Sequence, residues 1–343
     1  MKLVMYNMAP PRGPIDPRVD NGWRGSHDVP PIGRLCRAER SSVPIRWDVS
    51  VALTLDMGIH IRAPREFVFQ HLLTPHHLAR WFCNFAQFDP RGPAVGTKFR
   101  FGGDYAIAAT EPPGWPCDIL SGEVLRSVSF RWPLFGADTR VDWRAEDGSE
   151  GSVFRVAHSE VPREDSTCGR FHDAWRVCLG NLKAVAEARD DSLRPDSSPI
   201  GDGMFRLNLV IGASPSKVFN ALVDPTIMSK ATGGSRVGIV PRAGGTYEIF
   251  GSGAGPASIE LVEPGRRLVL SWPIAGAPRR LTVDLEDKGG DRSGVYLRYD
   301  RVPDNAALRV RCRWSDLLVG LKNVLETGET GFTEPYEAQS RTG

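Results

Sequence analysis

The sequence predicts an α+β protein of two tandem domains, each a run of antiparallel strands closed by a long C-terminal helix. Three observations carry that expectation. A set of short motifs recurs in one order at a spacing of about 140 to 150 residues, which makes the repeat a whole domain. Each copy opens on one strand-like stretch, passes through two short helical stretches, and continues in strand segments broken by glycine and proline. Each copy ends on an amphipathic helix with Trp and Leu on one face.

The repeat rests on four anchors. Phe69, Leu72 and Pro75 in F-x-x-L-x-x-P are answered by Phe219, Leu222 and Pro225. Gly96-Thr97-Lys98-Phe99-Arg100-Phe101-Gly102 is answered by Gly245-Thr246-Tyr247-Glu248-Ile249-Phe250-Gly251, and Trp132-Pro133 by Trp272-Pro273. Trp175, Leu179, Leu182 and Lys183 are answered by Trp314, Leu318, Leu321 and Lys322.

Residues 1–46 hold seven prolines and no apolar period, so a disordered leader is expected. Its Trp23 and the basic run 34–40 are compatible with a docking peptide or with a bare leader. The first domain spans 49–188. Val51, Leu53, Leu55, Met57, Ile59 and Ile61 alternate on one face of a strand, and Ala63-Pro64 stops it and opens a helix. A second helix follows Pro75. Strand character then recurs at 97–101, 104–109, 118–125, 127–132, 138–144 and 151–158, before a helix over 168–188.

Residues 189–203 read as a Pro/Gly/Ser-rich linker. The second domain, 204–327, repeats the order: strand 204–211, helices 215–223 and 225–231, strands to Asp300, and a helix over 306–326. Residues 328–343 read as a flexible tail.

The formal net charge is +2, and the first 46 residues hold eight Lys or Arg against four Asp or Glu, leaving a body near −2. Such a body lacks the clustered cations that nucleic acid requires, so no nucleic-acid partner is expected. The six cysteines form no C-x-x-C pair and fall five to one between the halves, which fits neither a zinc site nor a disulfide framework. No apolar run approaches the length of a spanning helix, so membrane insertion is not expected and a cytoplasmic location is. No G-x-S-x-G or comparable nucleophile motif appears. The glycines of 250–255 lack the helix and lysine of a phosphate loop and read as a hairpin.

The element order, with Ala63-Pro64 and Ser214-Pro215 ahead of the first helix, Pro90-Arg91…Gly96-Thr97 and Pro241-Arg242…Gly245-Thr246 entering a strand, and W-x6-L-K on both last helices, resembles the START-like (SRPBCC) superfamily. Within it, the chain resembles proteins related to the C-terminal domain of the activator of the heat-shock-protein-90 ATPase. The likeness covers 49–188 and 204–327. It implies two helix-grip domains, in which a curved antiparallel sheet wraps the long helix and leaves a cavity for a hydrophobic or aromatic small molecule. It implies no cofactor and no universal catalytic residue. The first copy keeps Ala79-Arg80-Trp81-Phe82 where relatives carry an aromatic after the second helix. The second has Ser229-Lys230-Ala231-Thr232, so the pocket is expected in the first domain.

Two functions follow from that reading. One is small-molecule binding in the first domain, with cofactor-free acid–base chemistry of the cyclase, dehydratase or lyase type if it is an enzyme. The other is a non-enzymatic protein-interaction module of the co-chaperone kind, working through its outer faces.

For the first, His172 lies three residues before Trp175 and is read as facing the cavity mouth, where an imidazole could move protons; a histidine bonded to a loop carbonyl is the plainer reading. Tyr105, after Asp104 on an expected hairpin, could donate a hydrogen bond to a ligand or simply fill space. Arg311, at the position of His172 in the second copy, could meet an anionic ligand group or a sheet carboxylate. Trp81, Trp132 and Trp175 could line the pocket or build the core, as could Trp115 and Trp143. Glu123, Arg131 and His158 sit on strands whose facing a one-residue register error would invert. His71, His76 and His77 cluster at a helix junction without a full set of metal ligands, so no metal is expected.

Overall fold

Strand β1 (Ala52–Ile61) alternates exposed and buried residues until Met57, Gly58 and Ile59, three buried in succession. The alternation is what the sequence dictates. The break comes from a segment that arrives from the far end of the chain. The computed structural model describes residues 52–162, 165–189, 193–249, 256–274, 276–334 and 336. The expected leader 1–46 and the hairpin at 250–255 lie outside the described residues.

After β1 come α1 (Arg65–Leu73) and α2 (Pro75–Trp81), then strands β2 (Phe85–Phe88), β3 (Lys98–Gly103), β4 (Thr110–Glu123), β5 (Ser127–Leu134), β6 (Ala137–Gly148) and β7 (Gly151–Pro162), and helix α3 (Asp165–Ala186). The second domain repeats this. It runs through β8 (Phe205–Ile211), α4 (Pro215–Val223), α5 (Pro225–Ala231), β9 (Val237–Ile239), β10 (Thr246–Ile249), β11 (Ala257–Glu263), β12 (Arg267–Ile274), β13 (Ala277–Gly289), β14 (Arg292–Tyr299) and α6 (Asp304–Thr327).

Each domain forms one seven-stranded antiparallel sheet, in the orders β1-β7-β6-β5-β4-β3-β2 and β8-β14-β13-β12-β11-β10-β9. In each, the first strand is placed beside the last by the long crossing that the two helices make. This is the tandem helix-grip arrangement.

The repeat anchors occupy equivalent places. Pro75 and Pro225 each sit at the first turn of a short helix, where the missing N–H costs nothing. The Gly-Thr anchor is shifted by one residue: Gly96 N donates to Ile119 O and Ile119 N to Thr97 O, while Gly244 N donates to Ile259 O and Ile259 N to Gly245 O, so Gly96 and Thr97 take the places of Gly244 and Gly245 rather than of Gly245 and Thr246. The lysine of W-x6-L-K explains itself. Lys183 Nζ donates to His60 O at 2.8 Å and pairs with Glu187 at 2.7 Å, while Glu187 accepts from Arg62 N at 2.9 Å. Lys322 Nζ donates to Val210 O at 2.8 Å and pairs with Glu326 at 2.6 Å, while Glu326 accepts from Gly212 N at 2.7 Å. One Lys and one Glu, a helical turn apart, thereby clamp the end of the first strand to the last helix in both copies.

Every described side chain of α3 from Phe171 to Ala186 is buried, because one side meets the sheet and the other meets α6. The two helices approach so closely at Gly180 that a Cβ there would lie 2.3 Å from Val319 Cγ1.

Two sequence expectations are corrected here. Residues 104–109 form a turn rather than a strand. Tyr105 N donates to Asn84 Oδ1, and Ser197 of the connecting segment bonds to both Asp104 O and Ile107 O, so these backbone groups are satisfied outside any ladder. The place in the sheet is taken by β2. The described start of the expected tail is also not loose: His60 N donates to Gly331 O, Thr333 N donates to Gly58 O, and Phe332 bridges to Ile59, while residues 337–343 lie outside the described residues. It lies along the open edge of β1 and covers Gly58.

Candidate functional site

Two places gather polar chemistry among the described residues: the interior of the first domain and the seam between α3 and α6. The interior is built by β5, β6, β7 and α3. In the β1/β7 and β6/β7 registers His158 stands opposite Leu55 and Val141, which fixes its side chain on the inward face. Arg131 takes the opposite face, exposed and paired with Asp118 and Asp138, and Glu123 is exposed as well.

His158 is wholly buried and bonded on both ring nitrogens. Trp175 Nε1 lies 3.1 Å from His158 Nδ1, and His158 Nε2 lies 2.9 Å from Thr139 Oγ1. An indole N–H can only donate, so Nδ1 accepts and the imidazole proton sits on Nε2. That proton goes to Thr139 Oγ1, whose hydroxyl donates in turn to Trp132 O at 2.7 Å. The Trp132 ring stacks on the imidazole with centroids 5.2 Å apart. Burial pushes the His158 pKa down to about 3, so the ring stays neutral. In the second domain the partner of β8 at this register is Tyr299, stacked on Phe205, so the histidine network belongs to the first copy alone.

Trp81, Trp132 and Trp175, expected to line a pocket, are all fully buried in this interior. Trp81 Nε1 donates to His71 O, and its ring packs against Phe82, Trp143 and Phe154. Trp132 Nε1 and Trp143 Nε1 have no hydrogen-bond partner.

His172 is placed elsewhere than expected. Three residues are about 300° of helical rotation, which sets it about 60° from Trp175, far enough to turn it from the sheet towards the seam. There its ring meets the Tyr336 ring edge-on at 5.0 Å, with Nδ1 3.4 Å from Asp173 Oδ1. Tyr105 and Asp104 lie on the exposed turn after β3, and the Arg194 guanidinium covers the Tyr105 ring at 4.5 Å. Arg311 is buried but committed to the connecting segment. It donates to Ser198 O at 2.5 Å and pairs with Asp196 at 3.3 Å, at the edge of a pocket lined by Ile200, Met204 and Phe205. Among the proposed residues, then, only the three tryptophans share one core, where Phe82 links Trp81 to Trp175 and His158 links Trp175 to Trp132. His71 bonds to Phe67 O through Nδ1 and stacks on His77 at 4.4 Å.

The seam was not foreseen. Arg176 Nε lies 2.9 and 3.0 Å from the two carboxylate oxygens of Asp316, and Arg313 reaches Asp173 at 3.4 Å and Asp316 at 3.2 Å. Burial pushes Asp173 up, but Arg313, His172 and Arg176 outweigh it and hold the carboxyl below the usual range. Burial, then the charge of Asp173, pushes Asp316 up against the pull of the two arginines. The readable signal was a D-x-x-R on one last helix, Asp173 and Arg176, and an R-x-x-D on the other, Arg313 and Asp316.

The family model described as activator of Hsp90 ATPase homolog 1-like protein matches residues 62–187 and 212–326, most of the chain and both domains. The chain belongs to this family. Among solved structures it is similar to DynU16, a protein of the dynemicin biosynthetic locus. That likeness has 16% identity and a TM-score of 0.32, and covers 80% of this chain and 97% of that one. It is similar also to the Aha1 dimer from Colwellia psychrerythraea, at 18% identity, covering 36% of this chain and 97% of that one with a TM-score of 0.32. An HSP90 activator from Plasmodium falciparum is 18% identical, with coverage of 29% and 74% and a TM-score of 0.28. No curated protein matches the chain. Among the described residues of this Hsp90-activator-like chain, no helix is long and apolar enough to cross a membrane.

Proposed function

We propose that this chain is a non-enzymatic protein-interaction module of the kind its family name describes, acting on an Hsp90-type ATPase. One observation carries the reading: His158, deep in the interior of the first domain, has both ring nitrogens engaged by Trp175 and Thr139. A histidine held neutral, with both nitrogens engaged, has no proton to exchange with a substrate near neutral pH. His172, Tyr105 and Arg311 face the seam and the connecting segment, which leaves acid–base chemistry in a cavity without its expected groups. The test is the ATPase rate of a purified Hsp90-type chaperone titrated with this chain. A saturable change in rate supports the proposal; no change, together with no co-elution, overturns it.

A second reading is favoured by Trp132 Nε1 and Trp143 Nε1, buried donors without partners. Such groups cost free energy that an aromatic ligand carrying an acceptor would recover. The first domain would then bind a hydrophobic small molecule without transforming it. Native mass spectrometry of the protein purified from its own host separates the two: a co-purifying small molecule moves the function to the interior, and a bare mass leaves it on the surface.

A further inference from the structure

The segment after α6 is seated as peptide ligands are seated on proteins. Its backbone adds to the edge of β1, with His60 N donating to Gly331 O at 2.7 Å and Thr333 N donating to Gly58 O at 3.0 Å. Its acid is read by a base: Glu334 Oε1 pairs with Arg155 at 3.2 Å and Oε2 accepts from Gly58 N at 2.9 Å. Its two aromatics lie on guanidinium planes, Phe332 under Arg176 at 3.8 Å and Tyr336 under Arg313 at 3.6 Å. The Tyr336 hydroxyl donates to Asp173 at 3.2 Å. Main-chain pairing gives affinity, and the spaced anchors give sequence preference.

We infer that the groove between β1 and the α3/α6 seam is a peptide-recognition site for an extended acidic segment of the form Phe-x-Glu-x-Tyr, and that residues 329–336 are a tethered, displaceable occupant. The partner segment is an aromatic, anionic one because Arg155 meets the acid and the guanidinium faces of Arg176 and Arg313, whose charges are answered by Asp316 and Asp173, meet the two rings. Occupation in cis makes the tail an internal competitor, present at the millimolar effective concentration of a short tether. The inference deepens the interaction reading and relies on it only for the existence of a partner, so peptide binding is measured with no chaperone present.

The experiment uses the full chain carrying Phe332→Ala and Tyr336→Ala, beside the unaltered chain. The probe is a fluorescein-labelled synthetic peptide of residues 329–336, followed by anisotropy. The double variant is expected to bind the peptide at least tenfold more tightly than the unaltered chain, and a peptide with its phenylalanine replaced by alanine is expected to lose at least tenfold. A folded double variant that binds no peptide, or equal binding by both chains, overturns the inference.

Should the variant not fold, hydrogen exchange on the unaltered chain decides. The His60 amide must then exchange at least tenfold faster than the ladder amides of β7, and equal protection overturns displaceability. Elution of the unaltered chain at twice its mass, with residues 329–336 of one copy cross-linked to β1 of another, assigns the groove to a second copy and overturns the partner assignment.

Discussion

Arg176 of α3 and Asp316 of α6 face each other across the seam, the arginine Nε within 3.0 Å of both carboxylate oxygens and both side chains almost wholly out of solvent. Two residues 140 positions apart thus tie the two domains through their last helices.

Breaking that pair strands a buried charge. Asp316→Ala or Arg176→Ala is expected to lower unfolding free energy by about 3–5 kcal/mol, whereas Arg176→Met with Asp316→Leu recovers most of the loss, since apolar groups of similar size replace such pairs at little cost. Urea denaturation of the two single variants and the double variant measures this. Additive losses would place the stabilisation elsewhere than in the pair.

The neutral state of His158 makes a pH prediction. Its folded pKa of about 3 lies below the unfolded value near 6.5, so between these limits the unfolded chain holds a proton that the folded chain does not. The contribution is complete above about pH 6.5 and declines by about 1.4 kcal/mol for each unit of acidification towards pH 3. His158→Gln removes this slope. His71, depressed by burial, adds a slope of the same sign in both proteins, so the difference between them isolates His158. Equal slopes from pH 6 to pH 4 would contradict the burial.

The lysine clamps should behave alike. Lys183→Met and Lys322→Met each remove a hydrogen bond to a first-strand carbonyl and leave a mostly buried glutamate less well paired, at an expected cost of about 2–3 kcal/mol each. Chemical denaturation of the two variants is expected to agree within about 1 kcal/mol. A near-zero effect in one domain would mean that its clamp has no role there.

Tyr105 offers a contrast with its expected role in ligand chemistry. Its ring lies under Arg194 on an exposed turn, so Tyr105→Phe should change stability by less than about 0.5 kcal/mol and Tyr105→Ala by about 0.5–1 kcal/mol. If Tyr105→Phe altered the Hsp90-type ATPase response or small-molecule binding, the hydroxyl would have a function that this placement does not supply.

Much of the fold was legible because local physics and tertiary structure agree. Proline at a first turn, alternation along β1 and the Trp-Leu-Leu face of both long helices each describe one face against one core. His172 was misplaced because α3 is buried on two sides, and apolar periodicity does not distinguish the side facing the sheet from the side facing α6. His158 was undecided because a strand's facing depends on register, which the β1/β7 pairing sets from 103 residues away. The tail was misread for a related reason. Its composition is polar and the contacts of its two rings are with distant arginines, so nothing local marks Phe332 and Tyr336 as anchors.

Gly58 and Glu334 meet although 276 residues separate them. During synthesis at about 5–20 residues per second, β1 leaves the ribosome on the order of half a minute before the strand-like segment that covers its edge. The first domain to be made is therefore the last to be finished, and a newly made first half has an open sheet edge that molecular chaperones or a neighbouring nascent chain can reach.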